Sequence, residues 1–417
     1  MLIHSASQLI CLRGGAQRGA HLGELDIIPD GAVLLQGDTI TQVGTSADLL
    51  RRFPHETRLD AHQQVVMPGF VDPHTHLIWA GDRADEFTQR LEGKSYMEIM
   101  AAGGGINATV RATRQASSSD LKAATSSRAR AALRHGTTTL EAKSGYALDI
   151  PGEERLLEII MELDSELPLD IIPTYLGAHA IPPEFSGHTQ DYVDLLVEIA
   201  LPQLKTWWQQ RYTKQPLPFV DVFCEPTVFN LQHSHTILST AKSLDYPLKM
   251  HVDEFENIGG AALAAELGAS SADHLVKIST ADIQKLAATP TVAVALPCTP
   301  FGLAENLYTP AREIIANDGL LALASDLNPG TAWCGNMQFV IALACRYMKM
   351  TPAQALAAAT INAAAAVSRQ DKVGSLEPGK QADLLILNVP DYRHLGYRFG
   401  ENLVQIVIKK GKVIDFS

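Results

Sequence analysis

Two histidines separated by one residue, His74 and His76, follow a short apolar run. On a β-strand, residues i and i+2 point to the same face about 6.5–7 Å apart, so two such imidazoles can reach one metal ion. A Pro-Gly pair at 68–69 and an Asp-Pro pair at 72–73 predict that the strand is short and ends near the histidines. A lone His-x-His pair is also explained by two polar residues at a strand end, so metal binding requires further ligands elsewhere.

Between residues 65 and 368, apolar β-branched runs alternate with helical patterns, which indicates parallel strands joined by crossover helices. About eight strands are predicted, the number that a (β/α)8 barrel requires. They are residues 65–76, 136–142, 170–176, 219–224, 247–252, 269–274, 291–297 and 320–325. An Ala-rich stretch at 350–368 is predicted to be a helix packed on this core.

In a barrel of this type the chemistry lies where the strands end, and polar side chains occupy those positions here. They are His74, His76, Lys143, Tyr146, His179, His251, Glu254, His274, Asp326 and Asn328. Three histidines and one carboxylate suit Zn²⁺ or iron, and we predict His74, His76, His251 and Asp326 as the ligands. Taken singly, His251 could be a buried hydrogen-bonded residue and Asp326 a turn residue; their joint placement at strand ends favours ligation.

The two ends of the chain have a different character. Residues 31–44 form two β-rich runs joined at Gly37-Asp38, a hairpin signal. Residues 374–389 and 404–415 repeat this character, the latter with a Lys410-Gly411 turn. We therefore predict that the termini, although distant in sequence, pair into one small β domain.

Composition restricts the partners and the compartment. With 46 acidic and 34 basic side chains, the net charge of −12 argues against binding nucleic acid or an anionic membrane through bulk charge. No signal peptide is recognisable, and residues 350–368 are too weakly apolar for a membrane span. Five scattered cysteines with no Cys-x-x-Cys motif indicate reduced thiols, so a cytoplasmic location is expected.

The motifs MPGFVDPHTH, KMHVDEF and ALASDLNPG are similar to the pattern of the amidohydrolase superfamily. A fuller set, HLIWAGDRADEF, AGGGINATVRATR, LEAKSGYALD, YLGAHAIPPE, SADHL and SDLNPGTAW, resembles the imidazolonepropionase family over nearly the whole chain. The resemblance implies a (β/α)8 TIM-like barrel at 65–368 and a small β-sandwich domain from 1–64 plus 369–417. It also suggests a homodimer.

The resemblance implies hydrolysis of 4-imidazolone-5-propanoate to N-formimidoyl-L-glutamate, with one Zn²⁺ or Fe³⁺ per subunit. The implied metal ligands are again His74, His76, His251 and Asp326. The implied substrate-binding residues are Arg83, Tyr146, His179, Glu254, Asn328, Gly330 and Thr331. The fourth strand lacks the lysine of dinuclear relatives, which favours one metal, and Lys143 is assigned no ligation.

Physical chemistry assigns roles within this set. Glu254 is expected to move the proton of the attacking water to the leaving ring nitrogen, a role that Asp326 could share. His179 or His274 could donate a hydrogen bond to the developing negative charge, which makes His274 a catalytic candidate with Glu254 and Asp326. Arg83 offers the cation that a propanoate tail requires.

Three alternatives remain open at the level of sequence. The chain could be another cyclic amidohydrolase or a nucleobase-type deaminase with similar metal ligands. It could also be a non-catalytic barrel that acts as an interaction scaffold. Arg83 could belong to a surface ion pair with Asp82 or Asp85, and Tyr146 could serve packing alone.

Overall fold

The computed structural model describes residues 1–94, 98 and 103–416, which form two eight-stranded sheets. One sheet is a parallel barrel from the middle of the chain, and the other is a mixed sheet from both termini. The predicted fold class, a (β/α)8 barrel with a small β domain from the two ends, is confirmed. Within the described ranges, no helix has the length and apolar character needed to cross a bilayer.

The strands are numbered in chain order. They are β1 Leu2–Ile10, β2 Ile27–Gln36, β3 Thr39–Thr45, β4 Arg58–Asp60, β5 Val65–Pro68, β6 Phe70–Asp72, β7 Thr137–Lys143, β8 Asp170–Ala178, β9 Phe219–Cys224, β10 Lys249–Val252, β11 Ser271–His274, β12 Val292–Ala295, β13 Leu321–Leu323, β14 Leu384–Leu387, β15 Val404–Lys409 and β16 Lys412–Val413. Strands β6 to β13 follow one another around the barrel, each parallel to the next.

Helices occupy the segments between the barrel strands, as the alternating pattern predicts. The α-helices with described bounds are Ser46–Arg52, Ala84–Leu91, Ile106–Gln115, Ser118–Arg134, Ile150–Glu166, Thr189–Leu195, Leu201–Arg211, Leu231–Ser243, Gly260–Leu267, Thr280–Ala287, Cys298–Gly302, Ala311–Ala316, Met337–Tyr347, Pro352–Ala358, Ile361–Ala366 and His394–Tyr397. A π-helix, Leu196–Ala200, and two 3-10 helices, Gly19–His21 and Pro183–Phe185, also form. Because helices cover the outside, strands such as β12 are apolar and buried on both faces.

The barrel closes between β6 and β13 through the segments that follow these two strands. The backbone N–H of Asp326 donates to the carbonyl of His74 at 3.1 Å, and that of His76 donates to Leu327 at 2.9 Å. Closure therefore runs through the strand ends that carry predicted metal ligands and places them side by side.

The terminal sheet has the strand order β16-β15-β14-β5-β1-β2-β3, with β4 paired to β1. The predicted hairpin at 31–44 is confirmed as the antiparallel pair of β2 and β3. The prediction that the two ends pair is also confirmed, because β5 lies between β1 and β14.

The prediction of a single barrel strand at 65–76 is wrong. Its first part, β5, belongs to the terminal sheet, and only β6 belongs to the barrel. The chain passes between the sheets at Gly69, where a Cβ atom would lie 2.2 Å from Thr138 Oγ1 of β7. Glycine is required there because the backbone passes so close to its neighbour. The domain division 1–64 plus 369–417 against 65–368 stays a prediction.

The single Ala-rich helix predicted at 350–368 is also wrong, because two helices form there, Pro352–Ala358 and Ile361–Ala366. Thr360 separates them with φ −130° and ψ −93°, and its hydroxyl donates to the carbonyl of Leu356 at 2.7 Å. A side chain that bonds to the preceding turn competes with the helical ladder. Both short helices are buried on most of their surface, so tertiary packing decides the break.

A long connection, residues 81–114, follows the first barrel strand, and its glycine run at 103–105 indicates either a lid over the barrel or a flexible connection. It contains the helices Ala84–Leu91 and Ile106–Gln115. Residues 95–97 and 99–102 of this connection lie outside the described residues. The interpretation of the connection as a lid over the barrel rests partly on that stretch and stays a prediction.

An ion-pair cluster joins the barrel to the terminal sheet. Asp170 at the start of β8 accepts from Lys409 Nζ at 2.8 Å and lies 2.7 Å from Lys410 Nζ. Burial would raise the pKa of Asp170, but the two ammonium groups outweigh it and hold this pKa below its usual range. The barrel strand is thus tied to the terminal domain by a carboxylate that stays ionised in the folded state.

We expect Asp170→Asn to lower the free energy of unfolding by about 3 kcal/mol, because it leaves Lys409 with one anionic partner instead of two. A folded-state pKa below the unfolded value of about 3.9 stabilises the protein above that pH, and this contribution is lost as the pH falls. Thermal unfolding of both proteins between pH 2 and pH 7, a range that extends below the unfolded pKa of about 3.9 where the contribution is lost, measures this. An equal difference in stability at all pH values would contradict the assignment.

Candidate metal centre and active site

The four predicted ligands meet at the carboxyl ends of the barrel strands. His74 and His76 follow β6, His251 lies in β10, and Asp326 follows β13. Asp326 Oδ1 lies 3.4 Å from His74 Nε2 and 3.5 Å from His76 Nε2. His251 Nε2 lies 3.3 Å from His76 Nε2. Residues up to 252 positions apart in sequence therefore face one shared point.

The donor set at this point fits a metal ion. His74 Nε2 and Asp326 Oδ1 are buried and have no hydrogen-bond partner among the described residues. Such orphaned polar atoms are costly to bury unless something binds them. Burial lowers the pKa of His74 and His76 well below its usual value, which keeps lone pairs on the imidazoles for a cation. Three imidazoles and a carboxylate form a donor set that Zn²⁺ prefers.

A further histidine, His274 at the end of β11, also lies beside this point. Its ring nitrogen can join those of His74 and His251 within 4.8 Å of one another. Its Nε2 lies 3.6 Å from Glu254 Oε2, so it faces the predicted proton-transfer carboxylate. Both His274 and Asp326 have left-handed backbone conformations, with φ of 79° and 54°. Non-glycine residues rarely adopt this region, and such strain is often found at functional sites.

Glu254 reaches the site on the loop after β10. Glu225 holds this loop, since its carboxylate accepts the backbone N–H groups of Glu254 at 2.8 Å and Phe255 at 3.1 Å. Burial, with the nearby carboxylates of Asp326 and Glu225, raises the pKa of Glu254 well above its usual value. Glu225, which directly follows the fourth barrel strand, β9, thus shapes the loop that carries Glu254. Sequence reasoning did not assign Glu225 this function.

The aromatic rings of Tyr146 and His179 lie beside the ring of His76. The ring of His179 stacks on that of His76 with centroids 4.8 Å apart, and Tyr146 lies 5.1 Å from His179. His179 Nδ1 donates to the carbonyl of Gly145 at 2.9 Å. Burial lowers the pKa of His179 to about 3, so the ring is neutral and its Nε2 is a hydrogen-bond acceptor. This tautomer argues against His179 as the donor to a developing oxyanion.

A cavity of about 360 Å³ is lined by Arg83, Arg90, Gly330, Thr331 and Trp333, among others. Arg83 Nε donates to Glu86 Oε2 at 2.8 Å. The surface ion pairs considered for Arg83 with Asp82 or Asp85 are therefore not formed, and its side chain is only 13% exposed. Gly330 lies against the guanidinium, because a Cβ atom there would be 2.3 Å from Arg83 Nη1.

Asn328 shapes the loop that forms this cavity. Its Oδ1 accepts the backbone N–H groups of Gly330 and Thr331, both at 2.8 Å, and its Nδ2 donates to the carbonyl of Asp326 at 2.7 Å. The amide group is therefore engaged within the loop itself. Asn328 links the geometry of the predicted ligand Asp326 to that of the cavity.

Several residues that sequence reasoning missed hold the predicted ones in place. The hydroxyl of Thr299 donates a hydrogen bond to Asp326 Oδ2, which leaves Oδ1 free to face the point shared by the four predicted ligands. Arg90 donates to the carbonyl of Gly330 at 3.2 Å and adds a second cation to the cavity. Asp221 contacts His251 and Asp273 contacts His74, in each case at Nδ1, the ring nitrogen that faces away from the shared point. Their positions on inward-facing strand residues are the signal that could have revealed the two aspartates.

Comparison with known proteins identifies the family. The amidohydrolase family matches residues 239–414, and the imidazolonepropionase-like composite domain of bacteria matches residues 31–55. The chain is 49% identical to an imidazolonepropionase of Herpetosiphon aurantiacus over 99% of this chain and 96% of that protein. The imidazolonepropionase of Chloroflexus aggregans is 47% identical, over 99% of this chain and 98% of that protein. The chain belongs to the imidazolonepropionase family.

A solved structure supports the fold. The adenosine deaminase of Xanthomonas campestris with bound zinc superposes with a TM-score of 0.71 at 19% identity, covering 99% of this chain and 92% of that one. At this identity the likeness concerns the fold alone. Membership in the imidazolonepropionase family confirms the enzyme class predicted from the sequence, a metal-dependent hydrolase. The family and the histidine-rich site together imply a divalent metal ion.

Proposed function

We propose that this protein hydrolyses 4-imidazolone-5-propanoate to N-formimidoyl-L-glutamate with a metal-activated water. The observation that carries the proposal is the convergence of three imidazoles and a carboxylate at one buried point. The arginine-lined cavity, bordered by the same loop as Asp326, supports an anionic substrate. The relatives named imidazolonepropionase support the choice of ring and product.

We propose His74, His76, His251 and Asp326 as the ligands of one Zn²⁺ per subunit, with Fe³⁺ as the other ion that suits this donor set. When bound, such an ion lowers the pKa of water and polarises a carbonyl oxygen. The zinc in the adenosine deaminase of similar fold favours Zn²⁺. Elemental analysis of the purified protein distinguishes the two metals.

We assign the proton transfers to the carboxylate of Glu254. Glu254 is suited to take the proton of the attacking water and deliver it to the leaving ring nitrogen, because its loop is held beside His274 and the ligands. His274 is placed to orient Glu254 or to donate to the carbonyl oxygen as negative charge develops. Neutral His179, whose Nε2 accepts, is suited to a ring N–H of the substrate. Tyr146 adds a neutral hydroxyl on the same side, since burial raises its pKa.

Two arginines form the site that we assign to the propanoate tail. Glu86 pairs with Arg83 and Asp82 also lines the cavity, so Arg90 supplies a second cation beside these two carboxylates. Burial and the neighbouring Arg83 lower the pKa of Arg90, which indicates that each would gain from an anion between them. Gly330 and Thr331, whose backbone is held by Asn328, complete this binding surface.

We expect Arg83→Ala to raise KM about 10- to 100-fold with a small change in kcat, since one charge-assisted hydrogen bond contributes about 1.5–3 kcal/mol. Arg51→Ala, on an exposed helix of the terminal domain, is the matched control and should leave both constants unchanged. Steady-state kinetics on the propanoate substrate measures this. An unchanged KM for Arg83→Ala would exclude it from substrate binding.

The experiment that tests the function compares turnover of 4-imidazolone-5-propanoate with that of guanine and cytosine. A cavity with two arginines suits an anionic tail better than a neutral nucleobase, so the propanoate should be preferred. Preference for a nucleobase would overturn the proposal in favour of a deaminase of the superfamily. A protein without bound metal or turnover would favour the scaffold alternative.

We further propose a cytoplasmic enzyme that acts as a homodimer without binding nucleic acid or membranes. The reduced state of all five cysteines, each of which the structure describes as unpaired, supports a reducing compartment. The net charge of −12 supports the absence of polyanionic partners. Light scattering on the purified protein measures the assembly.

A further inference from the structure

A layer of charged side chains fills the barrel interior directly beneath the ligands. Glu141 and Lys143 of β7, Asp221 of β9, Lys249 of β10 and Asp273 of β11 all have no exposed surface. Barrel interiors are usually filled by branched apolar side chains, and burying ions is costly. Because a hydrophobic layer would serve the fold equally well, this charged layer calls for a reason connected with the site above it.

Two carboxylates of the layer contact metal ligands. His74 Nδ1 donates to Asp273 Oδ2 at 2.6 Å, and His251 Nδ1 lies 3.0 Å from Asp221 Oδ2. A carboxylate on one ring nitrogen keeps the proton there and leaves the lone pair of the other nitrogen for the metal. Each aspartate thus selects the tautomer and the orientation of one ligand.

The same two oxygens face the buried lysines. Lys143 Nζ donates to Asp221 Oδ2 at 2.7 Å and to Glu141 Oε1 at 2.9 Å, and it lies 3.9 Å from Asp273 Oδ2. Lys249 Nζ lies 3.7 Å from Asp273 Oδ2 and donates to the carbonyl of Pro73 at 2.6 Å, directly before His74. Lys143 is therefore the one lysine of the described layer whose Nζ lies within 4 Å of both ligand-holding aspartates.

We propose that Lys143 is a positioning residue that sets the orientation of His251 and His74 through Asp221 and Asp273. It does not bind the metal; it fixes the carboxylates that fix the imidazoles. Glu141 holds Lys143 from the opposite side, and Lys249 anchors the backbone before the first ligand. The inference rests on the proposed metal ligands and adds a shared support that couples two of them.

The test measures Zn²⁺ affinity of the metal-free protein by chelator competition and the visible absorption of the Co²⁺-loaded protein. We expect Lys143→Met to weaken Zn²⁺ binding about 10- to 100-fold and to change the Co²⁺ spectrum, because supporting groups around metal ligands have effects of this size. The matched control is Lys409→Met, which also removes a buried, ion-paired lysine but lies in the terminal sheet. It should lower the unfolding temperature and leave Zn²⁺ affinity and the Co²⁺ spectrum unchanged.

A folded Lys143→Met protein that binds Zn²⁺ within about twofold of wild type would overturn the inference. If that variant does not fold, Lys143→Gln decides by the same measurements: wild-type affinity and spectrum overturn the inference, and an about tenfold loss of Zn²⁺ affinity supports it. Where Lys143→Met and Asp221→Asn both fold, the double variant should bind Zn²⁺ no more weakly than Asp221→Asn alone, and additive losses would contradict the shared route. Failure of the wild-type protein itself to bind Zn²⁺ or Fe³⁺ would instead refute the proposed function.

Discussion

His251→Ala is expected to abolish stoichiometric metal binding and to lower kcat/KM by at least about 10⁴-fold, because a bound metal lowers the pKa of water from 15.7 to about 7. His251 lies at the centre of the cluster, with its ring centroid 4.4 Å from that of His74 and 5.3 Å from that of His76. Its loss removes one of the four donor groups proposed for the metal. Metal content by elemental analysis and turnover of 4-imidazolone-5-propanoate measure the effect.

The matched control is His235→Ala, on the exposed face of the helix Leu231–Ser243. It removes an imidazole from the same region of sequence without touching the barrel interior, so metal content and turnover should match the wild type. A His251→Ala protein that retains one metal per subunit and full turnover would show that the cluster is not the catalytic metal site.

Glu254→Gln is expected to lower kcat by about 10²- to 10⁴-fold while metal content stays at the wild-type level. The amide keeps the size of the side chain and its place beside His274 but cannot accept and return a proton. Because the loop is held by Glu225 through backbone N–H groups, the substitution should not displace it. Steady-state kinetics together with elemental analysis separate a loss of proton transfer from a loss of metal.

Glu256→Gln provides the comparison on the same loop. Its side chain is exposed, while its backbone N–H is held by the same Glu225 carboxylate at 3.3 Å. We expect wild-type kinetics from this variant. Similar losses in both variants would mean that the loop, and not the Glu254 carboxylate, limits turnover, and Asp326 would then become the proposed base.

Much of the fold could be predicted because local patterns encode it. Strand β9 was predicted at its observed bounds, since apolar β-branched residues continue to a clear end at 224. The split of residues 65–76 between two sheets was missed because β5 and β6 are both apolar, and only the contact of Gly69 with Thr138 separates them. The spacing of apolar residues along a strand does not indicate which sheet the strand joins.

The candidate site likewise has features that the sequence predicts and features that depend on the tertiary structure. The types and order of the strand-end residues pointed to a metal hydrolase before any coordinates, because a parallel barrel brings all its strand ends to one rim. The pairs that orient those residues depend on closure of the barrel. His74 meets Asp273 across 199 residues, and Arg90 meets Gly330 across 240. No local pattern carries such contacts, since they arise from the register of strands and loops in three dimensions. The sequence therefore determined the chemistry that this chain can perform, while the tertiary structure decided which nitrogen of each imidazole faces the proposed metal site and which charges hold it there.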